Sequence, residues 1–296
     1  MQIGVCLPNF SRLGTRAATM EIARQAEALG YDSLWTTDHV MMTKGQEEPY
    51  GHILEALTTL TFVAALTERI RLGVWVLVFP PRNAVLVAKE TATLDVLSGG
   101  RLTLGLGAGW NEREFQYLGA GFADRGKRFD EYIKALKELW TAEQPSFQGQ
   151  WVQFDDVLFS PKPVQPGGPP IVIGGYSRPT FRRSATLADG WHATGPSPEA
   201  FAEGLRQIRI MTQASGRDVI ASLRIRVGID RRLPTQRSGS GEVQSVLDGS
   251  PADILERIGE YRAAGVGELV LYFPTDQVEE YVGQMRRFAE EIRPKI

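Results

Sequence analysis

The feature that most restricts this chain is an alternation repeated eight times along its 296 residues. Short β-type runs stand at IGVCL (3–7), DSLWTT (32–37), IRLGVWVLVF (70–79), RLTLGLG (101–107), IVIGG (171–175), DGWHAT (189–194), IASLRIRVGI (220–229) and ELVLYF (268–273). A helical pattern follows each of them: TRAATMEIARQAEALG after the first, HILEALTTLTFVAAL (52–66) after the second, NAVLVAKETATLDVL after the third. Strands joined by crossover helices pair in parallel, and a parallel sheet needs helices over its faces. Eight such units on a chain of this length fit a closed (β/α)8 TIM barrel better than a doubly wound open sheet. The expectation is therefore one barrel domain over 1–296. Ser197 with Pro198 opens one helix, and Ser250 with Asp253 reads as a capping box opening another.

Two stretches stand outside the repeat. Residues 145–170 place Trp151, Phe154 and Leu158 between turn signals, which predicts a small hairpin and an apron of extended chain. Residues 231–249 are polar and glycine-rich, either a mobile loop over the barrel mouth or a solvated loop with no role.

Charge narrows the classes of partner. Thirty-three Lys and Arg stand against 35 Asp and Glu, a net of −2, so there is no basic footprint for nucleic acid or an anionic membrane. No apolar run approaches the ~20 residues of a membrane span, and the start MQIGVCLPNF lacks a basic leader. The single cysteine, Cys6, lies in an apolar run and reads as a buried thiol in a reducing, cytoplasmic setting. A small-molecule substrate is the expected partner. Helices 52–66 and 83–96 are apolar nearly all round, which on a barrel's outer ring predicts a covering partner, most simply a second copy in a homodimer.

The stretch LGLGAGWNEREF then raises a cofactor question. Gly105 and Gly107 start a dinucleotide fingerprint, but Trp110 stands where its last glycine belongs. The barrel gives these residues another meaning, because such barrels build their sites at the C-terminal ends of the strands. That rim gathers Pro8-Asn9-Phe10, Asp38-His39, Trp75 to Pro81, Gly107-Ala108-Gly109-Trp110-Asn111, Gly174-Gly175-Tyr176-Ser177, Trp191-His192 and Tyr272-Phe273. So many rings and glycines at one end point to a flat aromatic ligand. Asp38-His39 is the acid-base candidate, since an imidazole titrates near neutrality. One of Trp191 and His192 faces the barrel interior, and a structural role suits His192. His52 reads as the opening of an outer helix. Gly174 to Ser177, between strand and helix, suits a phosphate as well as a ligand-free tight turn. Glu112 and Glu114 begin a helix, where its dipole alone accounts for acidic residues.

Taken together, ATLDVLSGGRLTLGLGAGWNEREF, GYDSLWTTDHV, IVIGGYS and GSPADILERIGEYRAAGVGELVLYF resemble the bacterial luciferase-like flavin and deazaflavin oxidoreductases, in particular their coenzyme F420-dependent branch. The resemblance runs from Gln2 to about Pro294 and implies the same TIM barrel. It implies a tricyclic ring across the mouth, backed by a bulge with a non-prolyl cis peptide at Trp75-Val76, with bulky Trp75 either stacking on the ring or narrowing the pocket. It further implies that Gly107, Ala108 and Gly109 let the backbone approach the cofactor, that Asn111 bonds its polar edge, and that Gly174, Gly175, Tyr176 and Ser177 hold its phosphate. His39 would move the proton, with Asp38 orienting it. Several relatives place a glutamate where this chain has Trp110. The activity implied is F420-dependent hydride transfer. The rival is a monooxygenase using reduced FMN and oxygen.

Overall fold

The computed structural model describes residues 1–45, 48–237 and 243–296. Eight parallel strands close a ring: β1 (Gln2–Cys6), β2 (Ser33–Thr36), β3 (Arg71–Val78), β4 (Leu102–Gly107), β7 (Ile171–Gly174), β8 (Gly190–Thr194), β9 (Ile220–Ile229) and β11 (Glu268–Tyr272), with β11 returning to β1. This is the barrel that the alternation predicts. The helices α1 (Arg16–Ala28), α2 (Ala56–Ala64), α3 (Ala84–Ser98), α5 (Arg125–Thr141), α6 (Arg178–Thr186), α7 (Pro198–Thr212), α8 (Pro251–Ala263) and α9 (Val278–Arg287) follow the strands, and short α4 (Glu112–Tyr117) precedes α5. Ser197 and Ser250 cap α7 and α8 as expected, and Asp253 completes the capping box.

Strand residues alternate between two environments. Ile3, Val5, Leu34, Leu72, Val74, Leu104 and Leu106 face outward into the core beneath the helices. The inward positions are filled by rings: Trp35 packs with Val172 and Val270, and His192 stacks on its indole at 5.2 Å. A Cβ on Gly73 would fall 2.3 Å from that indole, so glycine opposite Trp35 is a condition of the plug fitting. Trp35 Nε1 donates to Ser33 Oγ at 2.8 Å, and Ser33 in turn bonds Glu268, which satisfies the buried polar groups at the closed end. There, too, Arg101 donates to the carbonyls of Ala64, Thr67, Ile70 and Ser98, a stitching role with no chemistry.

Two expectations need correction, for His52 and for residues 231–249, and the small hairpin in 145–170 forms as expected. Helix α2 begins at Ala56 under a Glu55 cap, whereas His52 lies in the preceding loop, its Nε2 2.9 Å from the Gly14 carbonyl. The hairpin in 145–170 is only β5 (Phe147–Gln148) against β6 (Gln153–Phe154), and Leu158 is 99% exposed. The chain there is held instead by Asp95, which accepts from the backbone N–H groups of Val164 and Gln165. Within 231–249, β10 (Val246–Gly249) pairs in parallel with the upper half of β9 and raises the barrel wall. The rest of that loop includes 238–242, which lie outside the described residues. Among the described residues no helix is long and apolar enough to cross a membrane.

Candidate active site

The loop after β2 carries His39 and is pinned from below. Asn9 accepts from the Thr37 N–H at 2.9 Å and donates to the Thr37 and Leu54 carbonyls at 2.8 and 2.6 Å. Asp38 does not orient His39. Its carboxylate accepts from the Val78 N–H at 2.8 Å and from Arg82 at 2.7 Å, tying the loop to the end of β3. Neighbouring residues of an extended chain point opposite ways, which sends Asp38 outward, on the side of Leu34, to Arg82, while His39 turns to the mouth.

The partner of His39 is Glu114. Its Oε2 lies 3.0 Å from His39 Nδ1, and its Oε1 accepts from the Val40 N–H at 2.7 Å and the Met41 N–H at 3.4 Å. Both side chains are buried, His39 at 6% and Glu114 at 2% exposure. Burial alone would raise the Glu114 carboxyl, but the His39 hydrogen bond and charge and the two N–H groups outweigh it and hold it below the ordinary carboxylate value. An ionised carboxylate only accepts, so Nδ1 carries a proton, and in the neutral imidazole Nε2 then has the lone pair. Among the described residues Nε2 makes no hydrogen bond. Trp110 stands edge-on to the imidazole at 5.6 Å, and Tyr50 lies at 5.3 Å.

At the third strand the peptide bond between Trp75 and Val76 is cis, and the register of β3 on β4 shifts between Val74 and Leu77. This bulge accounts for the glycines in a way the resemblance does not. Cβ atoms on Gly107 and Gly174 would each lie 2.5 Å from a Val76 methyl, so the floor is flat because Val76 rests on it. Gly107→Ala is therefore expected to cost about 1–3 kcal/mol in urea unfolding. Val76→Ala in the same chain should recover most of that; no recovery would show that the clash lies elsewhere. Gly109 has φ +78 and a Cβ there would strike the Phe115 ring, so it serves the turn into α4. Ala108 packs at the edge of the core. Asn111 caps α4 through Oδ1, while its buried Nδ2 has no partner among the described residues. The Trp75 indole fills the mouth rather than standing free: the Arg224 guanidinium sits 3.9 Å above its ring.

Gly174 ends β7, and Gly175, at φ +117, turns the chain into α6. Ser177 caps α6 by accepting from the Thr180 N–H, and its hydroxyl also bonds the Thr180 hydroxyl. The Tyr176 hydroxyl donates to the Ala200 carbonyl at 2.7 Å and its ring packs on Phe181 and Trp191, so it braces α6 on α7. His192 faces the lumen, with Nδ1 2.6 Å from Ser222 Oγ. Burial and the charge of Arg224 push it down to about 3, so it is neutral at physiological pH.

A model of the luciferase-like monooxygenases matches residues 1–238 of this chain. The chain belongs to that family. This luciferase-like chain is 31% identical to an uncharacterized protein of Mycobacterium tuberculosis, over 85% of its own length and 92% of the relative's. It is 30% identical to the pyrimidine monooxygenase RutA of Rhizobium rhizogenes, over 82% of its length and 68% of the relative's. The fold matches that of an F420-dependent secondary alcohol dehydrogenase solved with an F420-acetone adduct, with a TM-score of 0.82 at 17% identity, covering 99% of this chain and 98% of the other. Luciferase-like barrels thus serve both deazaflavin and monooxygenase chemistry, and this chain is a flavin- or deazaflavin-type oxidoreductase or monooxygenase.

Three residues in the site escape sequence reasoning until the barrel is built. Glu114 looks like a helix-dipole residue. Arg224 and Arg226 sit two apart in an otherwise apolar strand, and that alternation with Ser222 is the signal that they face inward.

Proposed function

We propose that this chain is an oxidoreductase that uses coenzyme F420 to move a hydride to or from a small organic substrate. The observation that carries the reading is the His39–Glu114 pair, a base with its lone pair at the mouth and its other nitrogen fixed by a buried carboxylate. The residues around it suit such a group. Asn111 Nδ2, a buried donor with no acceptor among the described residues, matches the carbonyl-bearing edge of the ring, and the first turn of α6 after Gly175 matches a phosphate. A deazaflavin bound here supplies a hydride donor or acceptor at ring carbon C5. His39 Nε2 takes the hydroxyl proton of an alcohol as the carbon loses hydride, and returns it in the reverse direction. Glu114 stays ionised throughout and steadies the imidazolium.

The likeness to a pyrimidine monooxygenase favours a second reading, a monooxygenase dependent on reduced FMN. Carbon in place of nitrogen at ring position five suppresses oxygen chemistry, so the two readings separate cleanly. Under nitrogen, a panel of short alcohols and hydroxy acids should bleach the deazaflavin absorbance in the presence of the protein. Turnover that appears only in air with reduced FMN would overturn the proposal. The chain is also proposed to act as a homodimer: Phe62 on α2 and Val85, Leu86, Val96 and Leu97 on α3 are exposed on one side of the barrel. Sedimentation should give a dimer; a monomer would remove this part.

A further inference from the structure

The lumen face of β9 carries Ser222, Arg224 and Arg226, while Leu223, Ile225 and Val227 face the outer core. Each arginine is 8% exposed. Among the described residues neither forms an ion pair. Asp248, whose charge acts on Arg226, is taken up by Arg232 and the Leu233 N–H. Among the described residues, Arg224 Nε and Arg226 Nε and Nη2 are buried with no hydrogen-bond partner. Burying a cation unpaired is costly, and burying two side by side costs more, unless an anion joins them in the working state.

The surroundings say where that anion sits. The Arg224 guanidinium lies between the rings of Trp75 at 3.9 Å and Tyr272 at 4.6 Å, a stack that fixes its plane and leaves its N–H edge for in-plane bonds. The Arg224 charge acts on the Tyr50 hydroxyl, and the Tyr50 ring stands 5.3 Å from His39. One aromatic ring thus separates the cations from the acid-base residue. The proposed phosphate cradle before α6 lies on other strands, β7 and its loop, so the arginines are not needed there.

We propose that Arg224 and Arg226 bind a carboxylate on the substrate, so that the enzyme acts on organic acids whose reacting carbon reaches His39 while the acid end is held by the two guanidiniums. Planar, two-oxygen carboxylates suit the arginine fork, and the ring-lined approach suits an acid with an apolar body. The proposal rests on the hydride-transfer reading for its reaction but not for its binding site.

Calorimetric titration with benzoate and with neutral benzamide tests it on the purified protein without cofactor. Wild type should bind benzoate at least tenfold more tightly than benzamide. Arg226→Met should erase that preference, and Arg226→Lys, which keeps the charge but not the fork, should keep part of it. Because Arg226→Met removes an unpaired buried charge, it should melt no lower than wild type. Affinity for the deazaflavin, read by fluorescence, should change less than twofold. Equal binding of benzoate and benzamide by wild type, or a preference that survives Arg226→Met, would overturn the proposal. So would a parallel loss of deazaflavin affinity, which would give the arginines to the cofactor. A benzoate preference in a protein that binds no deazaflavin would leave the anion site standing and remove the hydride-transfer reading alone.

Discussion

His39→Ala is expected to lower turnover by about two orders of magnitude or more while leaving cofactor affinity nearly unchanged. The side chain sits at the rim of the site with Nδ1 committed to Glu114, so what the substitution removes is the proton carrier rather than a wall of the pocket. Glu114 acts through His39, and its replacement has a different signature. Glu114→Gln keeps the shape and can still accept a hydrogen bond, but it withdraws the negative charge that stabilises the imidazolium. Because Glu114 is held below the ordinary carboxylate value, acid that protonates it should slow the wild type, and Glu114→Gln, with no carboxyl to titrate, should lack that acid limb of the pH-rate profile. Its loss of rate should be smaller than that of His39→Ala. Turnover unchanged in His39→Ala would take the imidazole out of the mechanism. A rate loss in Glu114→Gln with the acid limb still present would reduce Glu114 to a structural support.

Asp38→Ala is expected to destabilise the fold by about 3–5 kcal/mol in urea unfolding, the range for breaking a buried ion pair from one side. The Asp38 carboxylate is fully buried, and the substitution would strand Arg82, which also reaches Glu55 at the start of α2 at 3.3 Å. The Val78 N–H loses its acceptor as well. Three elements meet at this carboxylate: the loop bearing His39, the end of β3 beyond the bulge, and the cap of α2. A cost under about 1 kcal/mol, the level of an exposed pair, would show that the network does not hold them together. Any fall in activity in this variant should track the unfolded fraction and the displaced loop, since Asp38 does not touch His39 by a hydrogen bond.

The contrast between Asp38 and Glu114 marks the boundary of what the chain discloses before it folds. Alternating strand and helix patterns are local, so the barrel, the caps at Ser197 and Ser250, and the rim address of His39 follow from neighbours in sequence. The partner of His39 does not. Glu114 is 75 residues away, and its position in the first turn of α4 has a sufficient local explanation in the helix dipole. Asp38, adjacent in sequence, has the right chemistry but the wrong direction. The bulge at Trp75-Val76 was placed by resemblance, because nothing in IRLGVWVLVF departs from an ordinary strand. By resemblance Gly107 gives a cofactor room and Gly174 holds its phosphate, but the body lying on both, Val76, comes from a third strand.

The proposed function assigns the mouth to a deazaflavin, with Asn111, the bulge at Trp75-Val76 and the turn before α6 as the residues that would hold it. Titrating the cofactor-free protein with oxidised and reduced F420 and FMN, followed by fluorescence quenching, tests this most directly. The account predicts saturable binding with F420 held more tightly than FMN in both redox states. Tighter binding of FMN would hand the site to monooxygenase chemistry, and the absence of binding by either would contradict the site itself.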